Sequence, residues 1–341
     1  MMTDKQQQLA EAFSHRKNME HEKAISIYKP MWNENPEIFN EWSGWSYAWC
    51  LKEKKQYDQS LEVCRSIYLR FPGFQMIQQL YANCIYHTQF GAKQLPPLSV
   101  LKKATDAMIK LHPPQLQYSL TSKAIFKYVK SLFDQINFNV EEAENYLNKI
   151  DPSLLDRETY QFKNANGKTV EVASPLEEWY SLMIKTKAAK NNPTELLQLL
   201  DLVKKLNLKW PYGNQIWFSR KEAFAYAQLG DKTKAESILR KIMIQKKDWF
   251  LMVDLADIIE DKTEAIKLLC KAALAYGDTP KKIKLFQKIY DLLLSEGNVK
   301  EAKLHLKLII SIRKKEGWAI SSDLENEAQK HEQLMVYFYY C

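Results

Sequence analysis

A small or apolar residue returns along the chain at Ala24, Ser60, Leu101, Ala143, Leu196, Ala235, Ala265 and Ala302, in steps of 36, 41, 42, 53, 39, 30 and 37 residues. Each stands near the start of an amphipathic stretch with helical spacing. After Ala235 come Ile238, Leu239, Ile242 and Met243; after Ala302 come Leu306 and Ile309. A break in the helical pattern precedes the stretch in several cases, at Leu229-Gly230-Asp231, Glu296-Gly297-Asn298 and Lys55-Gln56-Tyr57-Asp58. A first helix comes before the break, as in Trp217, Ala223, Phe224, Tyr226 and Ala227. A period of 30 to 50 residues made of two helices and a turn points to a stacked array. A single hairpin cannot bury its own apolar face, so neighbours must bury it together.

Two residue sets carry a family likeness. One is Trp45, Ala48, Tyr57, Ser60 and Pro72; the other is Ala223, Tyr226, Gly230, Ala235 and Leu239. Both resemble the tetratricopeptide repeat, a 34-residue helix-turn-helix unit. The resemblance spans residues 5–316 and is best around residues 24, 60, 235, 265 and 302. Around 101, 143 and 196 the steps are longer and the turn glycine is missing. It implies an all-α fold, a right-handed α-solenoid of about eight stacked helical hairpins over residues 1–320. Residues 321–341, which end Val336-Tyr-Phe-Tyr-Tyr-Cys341, read as a C-terminal cap or the start of a further segment.

Two interior stretches depart from the repeat. Phe90 to Pro97 holds Gly91, Pro96 and Pro97 and reads as a loop. Around residues 159–172, Tyr160-Gln-Phe and Thr169-Val-Glu-Val flank Asn164-Ala-Asn-Gly-Lys168. Asn166-Gly167 suits the positive backbone angles of a tight turn, which predicts a small two-stranded β-hairpin insertion.

The residues give little support to catalysis. Glycine is scarce, 9 in 341, against about 7 % in ordinary chains. Folds that cradle phosphates use glycine freely. Gly167-Lys168-Thr169 ends like a phosphate-binding loop, but Phe162 stands where the first glycine is needed. The six histidines contain no metal-binding i, i+4 pair, and the five cysteines contain no close pair. Cys64 and Cys270 fall within helical apolar patterns and read as buried thiols, which suits a reducing cytoplasm. The pairs Glu141-Glu142 and Glu177-Glu178 fit helix N-termini. The expectation is a non-enzyme with no cofactor and no metal. No 18-residue apolar run is present to cross a membrane.

A partner surface is the remaining functional reading. In helical repeats of this kind the first helix of each pair lines the concave face. Counting from the packing alanines places Trp49, Lys52, Gln79, Asn83, Tyr86, Tyr128, Lys187, Arg220 and Lys284 on it. Trp42, Trp45 and Trp49 share one helical face. The resemblance implies a protein or peptide partner, anchored by aromatic and basic side chains. Nucleic acid is the alternative. The formal charge is +8, and Lys241 to Lys315 carries 16 basic and 10 acidic residues, with Trp249 and Trp318 beside lysines. Residues 216–318, with Lys247-Asp-Trp-Phe250 and Glu316-Gly-Trp318, resemble bacterial tetratricopeptide proteins of mobile and phage-defence gene clusters. Some of those carry a C-terminal S1-like or cold-shock-like domain.

Overall fold

The computed structural model describes residues 4–114, 119–213, 215–322 and 324–327. The aromatic terminus after residue 327, expected as a cap or a further segment, lies outside them. The chain divides into two compact units, Met1–Lys190 with Asn207–Pro211 and Asn191–Leu206 with Tyr212–Cys341.

The first unit holds α1 (Asp4–Lys17), α2 (His21–Glu34), α3 (Glu41–Glu53), α4 (Tyr57–Arg70), α5 (Gln75–Phe90), α6 (Leu98–Leu111), α7 (Leu120–Phe133), α8 (Val140–Leu147) and α9 (Pro175–Ala189). Between α8 and α9 stand β1 (Tyr160–Lys163) and β2 (Thr169–Val172). The second unit holds α10 (Pro193–Lys205), α11 (Gln215–Gln228), α12 (Lys232–Gln245), α13 (Trp249–Ala256), α14 (Lys262–Leu274), α15 (Ile283–Ser295) and α16 (Val299–Lys315). Consecutive helices pair as antiparallel hairpins, including α1–α2, α3–α4 and α5–α6 in the first unit and α11–α12, α13–α14 and α15–α16 in the second. These are tetratricopeptide-like repeats: short helix, turn, short helix, stacked in order.

The sequence column has one structural meaning. Every member is the fourth residue of an even-numbered helix, from Ala24 in α2 to Ala302 in α16. All are buried, with exposures from 0 to 7 %. Leu101, Ala143 and Leu196, where the repeat was faintest, take the same place as the rest. Where the residue is alanine or serine, the second helix can come close to the first. Ser60 shows how close they are, since its hydroxyl donates to Ala48 O at 2.7 Å across the pair.

The turns explain the scarcity of glycine. Gly230 (φ 88°) and Gly297 (φ 76°) stand two residues before α12 and α16. Met19 (φ 60°), Lys55 (φ 58°) and Asn191 (φ 57°) hold the same left-handed place before α2, α4 and α10. That conformation costs a side-chain-bearing residue roughly 1–2 kcal/mol. The stacked hairpins carry this cost. Asn40, Ser119, Asn139, Asn192, Asp231 and Asp261 cap helix N-termini with side-chain acceptors, satisfying first-turn N–H groups. Ser174 and Glu177 form a reciprocal capping box on α9.

The interruptions match their expected positions. α5 ends at Phe90 and α6 begins at Leu98. β1 and β2 pair antiparallel, with Tyr160 opposite Val172 and Phe162 opposite Val170. The turn is wider than an Asn-Gly pair alone would make. Gly167 is left-handed at φ 73° and Asn166 is not. Asn164 Oδ1 accepts the N–H groups of Asn166 and Lys168, both at 3.0 Å. The cysteine expectation holds for Cys64 and fails for Cys270, which is exposed. The buried stripe of α14 is Ala265, Leu268, Leu269 and Ala272, and position 270 falls off it.

Gly44 of α3 tests the close approach of helix pairs. A Cβ there would lie 2.2 Å from Ile67 Cδ1 of α4. Gly44→Ala therefore lowers unfolding free energy by about 1–3 kcal/mol in urea denaturation, although alanine alone favours a helix by roughly 1 kcal/mol. In an Ile67→Ala background the same change becomes neutral or favourable, a coupling that a double-mutant cycle reads directly.

Candidate functional site

In the first unit the odd-numbered helices lie beside one another: α1 packs on α3, α3 on α5, α5 on α7 and α7 on α9. Their side chains form a run of cations and rings. The Arg16 guanidinium lies 4.9 Å from the Trp45 ring, and Trp45 packs 5.4 Å from Trp49. Lys52 Nζ sits 4.4 Å over Trp49, and Lys127 Nζ sits 5.3 Å from Tyr86. Tyr86 stacks on Phe90 at 5.7 Å. His87 stacks on Tyr57 at 4.4 Å. Cations over ring faces gain roughly 0.5–1 kcal/mol at exposed sites and more when water is excluded.

His87 is half-buried between cations of the neighbouring helices. Its pKa lies below the ordinary 6.5, first because burial disfavours the charged ring, then because Lys52 and Lys127 repel it. Lys127 is lowered from the usual lysine range by burial and then by Lys130, and donates to Phe90 O at 2.6 Å. Tyr86 is raised, by burial first and then by Glu178 and Tyr160. Four helices, α3, α5, α7 and α9, and the β-hairpin thus bring titratable groups to one neighbourhood.

The residues picked from sequence separate into three groups. Trp49, Lys52 and Tyr86 belong to this cluster, each half-buried. Lys52 also pairs with Glu53 at 2.6 Å. Gln79 is exposed on α5, and Asn83 is half-buried there, its Oδ1 enclosed without a partner. The second group is spent on packing. Tyr128 is 1 % exposed and its hydroxyl donates to Glu142 at 2.9 Å, between α7 and α8. Lys187 pairs with Glu144 at 2.6 Å, tying α9 to α8. Burial pushes Glu144 up, but hydrogen bonds from Lys187 and Lys190 outweigh it and hold the carboxyl below its usual range.

The third group lies in the second unit. Arg220 of α11 makes a two-pronged ion pair with Asp254 of α13, one contact at 2.9 Å, and covers Phe224 and Phe250 at 5.3 and 5.2 Å. Asp254 is 6 % exposed. Lys284 is exposed on α15. The residues missed from sequence are Arg16, His87 and Lys127. A signal for the last was present: Lys123, Lys127 and Lys130 recur at helical spacing on α7.

Several basic residues of the second unit are paired with acids. Lys232 pairs with Glu260 at 3.3 Å, Lys262 with Glu296 at 3.0 Å, and Arg240 with Glu236 and Glu264, both at 2.8 Å. Lys288 pairs with Asp257. Lys246 pairs with Asp248 at 3.3 Å and lies 4.9 Å over Trp217. Lys282 is 3 % exposed, its ammonium donating to Ala273 O at 3.0 Å and to Ala275 O. Among the described residues no cluster of three or more metal-binding side chains occurs, and no helix is long and apolar enough to cross a membrane.

Likeness to known proteins follows this division only in part. Residues 216–334 match a family described as a domain of unknown function (DUF7017). No curated protein matches the chain. Among solved structures, the chain is similar to MamA from Desulfovibrio magneticus, at 17 % identity over 57 % of this chain and 96 % of that one, with a TM-score of 0.39. A tetratricopeptide repeat protein from Parabacteroides merdae is 14 % identical over 85 % of this chain and 97 % of that one, TM-score 0.33. A human IFIT1 dimer with PPP-AAAA is 12 % identical over 96 % and 72 % of the two chains, TM-score 0.44.

Two measurements check these assignments. By NMR, His87 half-protonates below 6.5, and Lys52→Gln or Lys127→Gln moves its midpoint upward; an unmoved midpoint would place both lysines elsewhere. Arg220→Ala leaves the Asp254 carboxylate enclosed without its partner, and lowers unfolding free energy by about 3 kcal/mol in chemical denaturation.

Proposed function

We propose that the chain is a non-catalytic helical-repeat scaffold that binds a protein or peptide on the concave face of its first helices, centred on the first unit. The observation that carries this reading is the run Arg16–Trp45–Trp49–Lys52 with Tyr86, His87 and Lys127, spanning α1, α3, α5 and α7. Rings held by neighbouring helices are anchors that lose little entropy on binding. Lysines between them give the face a positive field, which speeds encounter with an acidic partner and selects against basic ones. The likeness of residues 216–318 to proteins of phage-defence clusters supports a role in a bacterial defence or conflict system. The alternative is a nucleic-acid module in the basic C-terminal repeats, where the +6 surplus of residues 241–315 remains after every acid there is counted.

The test is affinity capture from host lysate, with and without nuclease, using the wild type and the Trp49→Ala/Tyr86→Ala variant. The expected result is a protein retained after nuclease and released by the variant, with an affinity loss of about 2 kcal/mol, or some thirtyfold. Equal capture by both chains would remove the function from this face. Partners that vanish with nuclease and depend steeply on salt would move it to nucleic acid.

A further inference from the structure

Charge is sorted along the even-numbered helices of the second unit. After the fifth residue of α12, α14 and α16 no acid occurs. In that stretch α12 has Arg240 and Lys241, α14 has Lys267 and Lys271, and α16 has four Lys or Arg residues from Lys307 to Lys315. Basic residues near a helix C-terminus complement its dipole, but that preference does not clear the acids. The same stretch of α2, α4, α6 and α10 holds Glu34, Glu62, Asp106 and Asp201. Arg240 is paired with Glu236 and Glu264. Lys241, Lys267, Lys271, Lys307, Lys314 and Lys315 are exposed and have no acid partner among the described residues.

Apolar side chains stand among these lysines. Ile244 and Leu274 come nine residues after Ala235 and Ala265, on the helix side opposite the buried stripe, and are 81 and 89 % exposed. Lys241 and Lys271 come six residues after the same alanines, one turn before them on that side. On α16 the outer side carries Leu304, 65 % exposed, with Lys307 one turn on. A single exposed aliphatic residue is ordinary. Here one recurs beside a lysine in each of three successive hairpins. Each helix thus turns a mixed lysine and aliphatic face to the outside, away from α11, α13 and α15, on which it packs.

A partner must match both parts of this face. A nucleic-acid backbone meets the lysines but leaves the aliphatic side chains in water, since bases stack on rings. Protein interfaces are depleted in lysine and built on aromatic and arginine anchors. An anionic bilayer takes both kinds: lysines stretch to the headgroups while neighbouring aliphatic side chains enter the acyl boundary. We propose that the outer sides of α12, α14 and α16 attach the second unit to an anionic lipid surface, with Lys241, Lys271 and Lys307 at the headgroups and Ile244, Leu274 and Leu304 in the acyl boundary. Such attachment needs no spanning helix. It uses none of the rings of α1, α3, α5 and α7, so it is independent of the partner face of the first unit.

The experiment is flotation of the full chain with vesicles of equal parts phosphatidylcholine and phosphatidylserine, and with vesicles of phosphatidylcholine alone. The chain is expected to float with the mixed vesicles only, and to be released as salt rises. Lys241→Gln/Lys271→Gln weakens binding to the mixed vesicles by roughly thirtyfold, some fivefold for each lysine. Ile244→Ser/Leu274→Ser weakens it by about tenfold and keeps its salt dependence. All four positions are exposed, so both variants keep the wild-type melting temperature, and lost binding is not lost folding. The Trp49→Ala/Tyr86→Ala variant floats like the wild type whatever its effect on partner capture. Equal binding to both kinds of vesicle, binding to neither, or undiminished binding by either variant of the second unit would overturn the proposal. So would poly(U) RNA that outcompetes the mixed vesicles, which would give these lysines to nucleic acid.

Discussion

The fold depends on one contact repeated along the chain. The fourth residue of each even-numbered helix is buried where that helix meets its partner. Where that residue is small the two helices can approach closely, as in α3 and α4, where the Ser60 hydroxyl reaches Ala48 O at 2.7 Å. Once each hairpin is closed in this way, its remaining apolar face needs a neighbour. In the first unit that need aligns α1, α3, α5, α7 and α9 side by side. The exposed side of this row is a by-product of packing.

Residues of one chemical type have divergent roles because their neighbours differ. Lys52 and Lys127 lie over rings and push down the pKa of His87. Lys187 and Arg220 meet buried or nearly buried carboxylates, where losing one partner costs far more than a surface ion pair. Lys282 closes the end of α14 by donating to its last carbonyl groups. Net charge counts all of these alike. The +6 surplus of residues 241–315 already counts the acids there, and the ion pairs affect only how it is distributed.

The cation–ring run was partly legible. Trp49, Lys52 and Tyr86 follow from helical spacing once a first helix is assigned. Tyr128 follows the same arithmetic and is instead enclosed with its hydroxyl on Glu142, because α8 is a helix of eight residues packed directly beside it. Cys270 went astray for a similar reason. An apolar pattern gives the direction of a buried stripe only to within about a residue, and position 270 falls just outside it. Arg16 and His87 had no signal of their own, since a lone arginine or histidine on a helix reads as solvated surface until another helix supplies its ring or its repelling charge.

By itself the sequence determined the all-α hairpin repeat, the places where it is interrupted and the residue on which each hairpin closes. These are set by local periodicity, turn residues and the size of one side chain, all of which are written in consecutive positions. Only the tertiary structure decided which lysines are spent on ion pairs, that Tyr128 and Asp254 are enclosed, and that Ser122 is enclosed without a hydrogen-bond partner. Those outcomes depend on groups tens of residues apart. Charge pairing and burial are properties of neighbours in space, and no spacing along the chain encodes them.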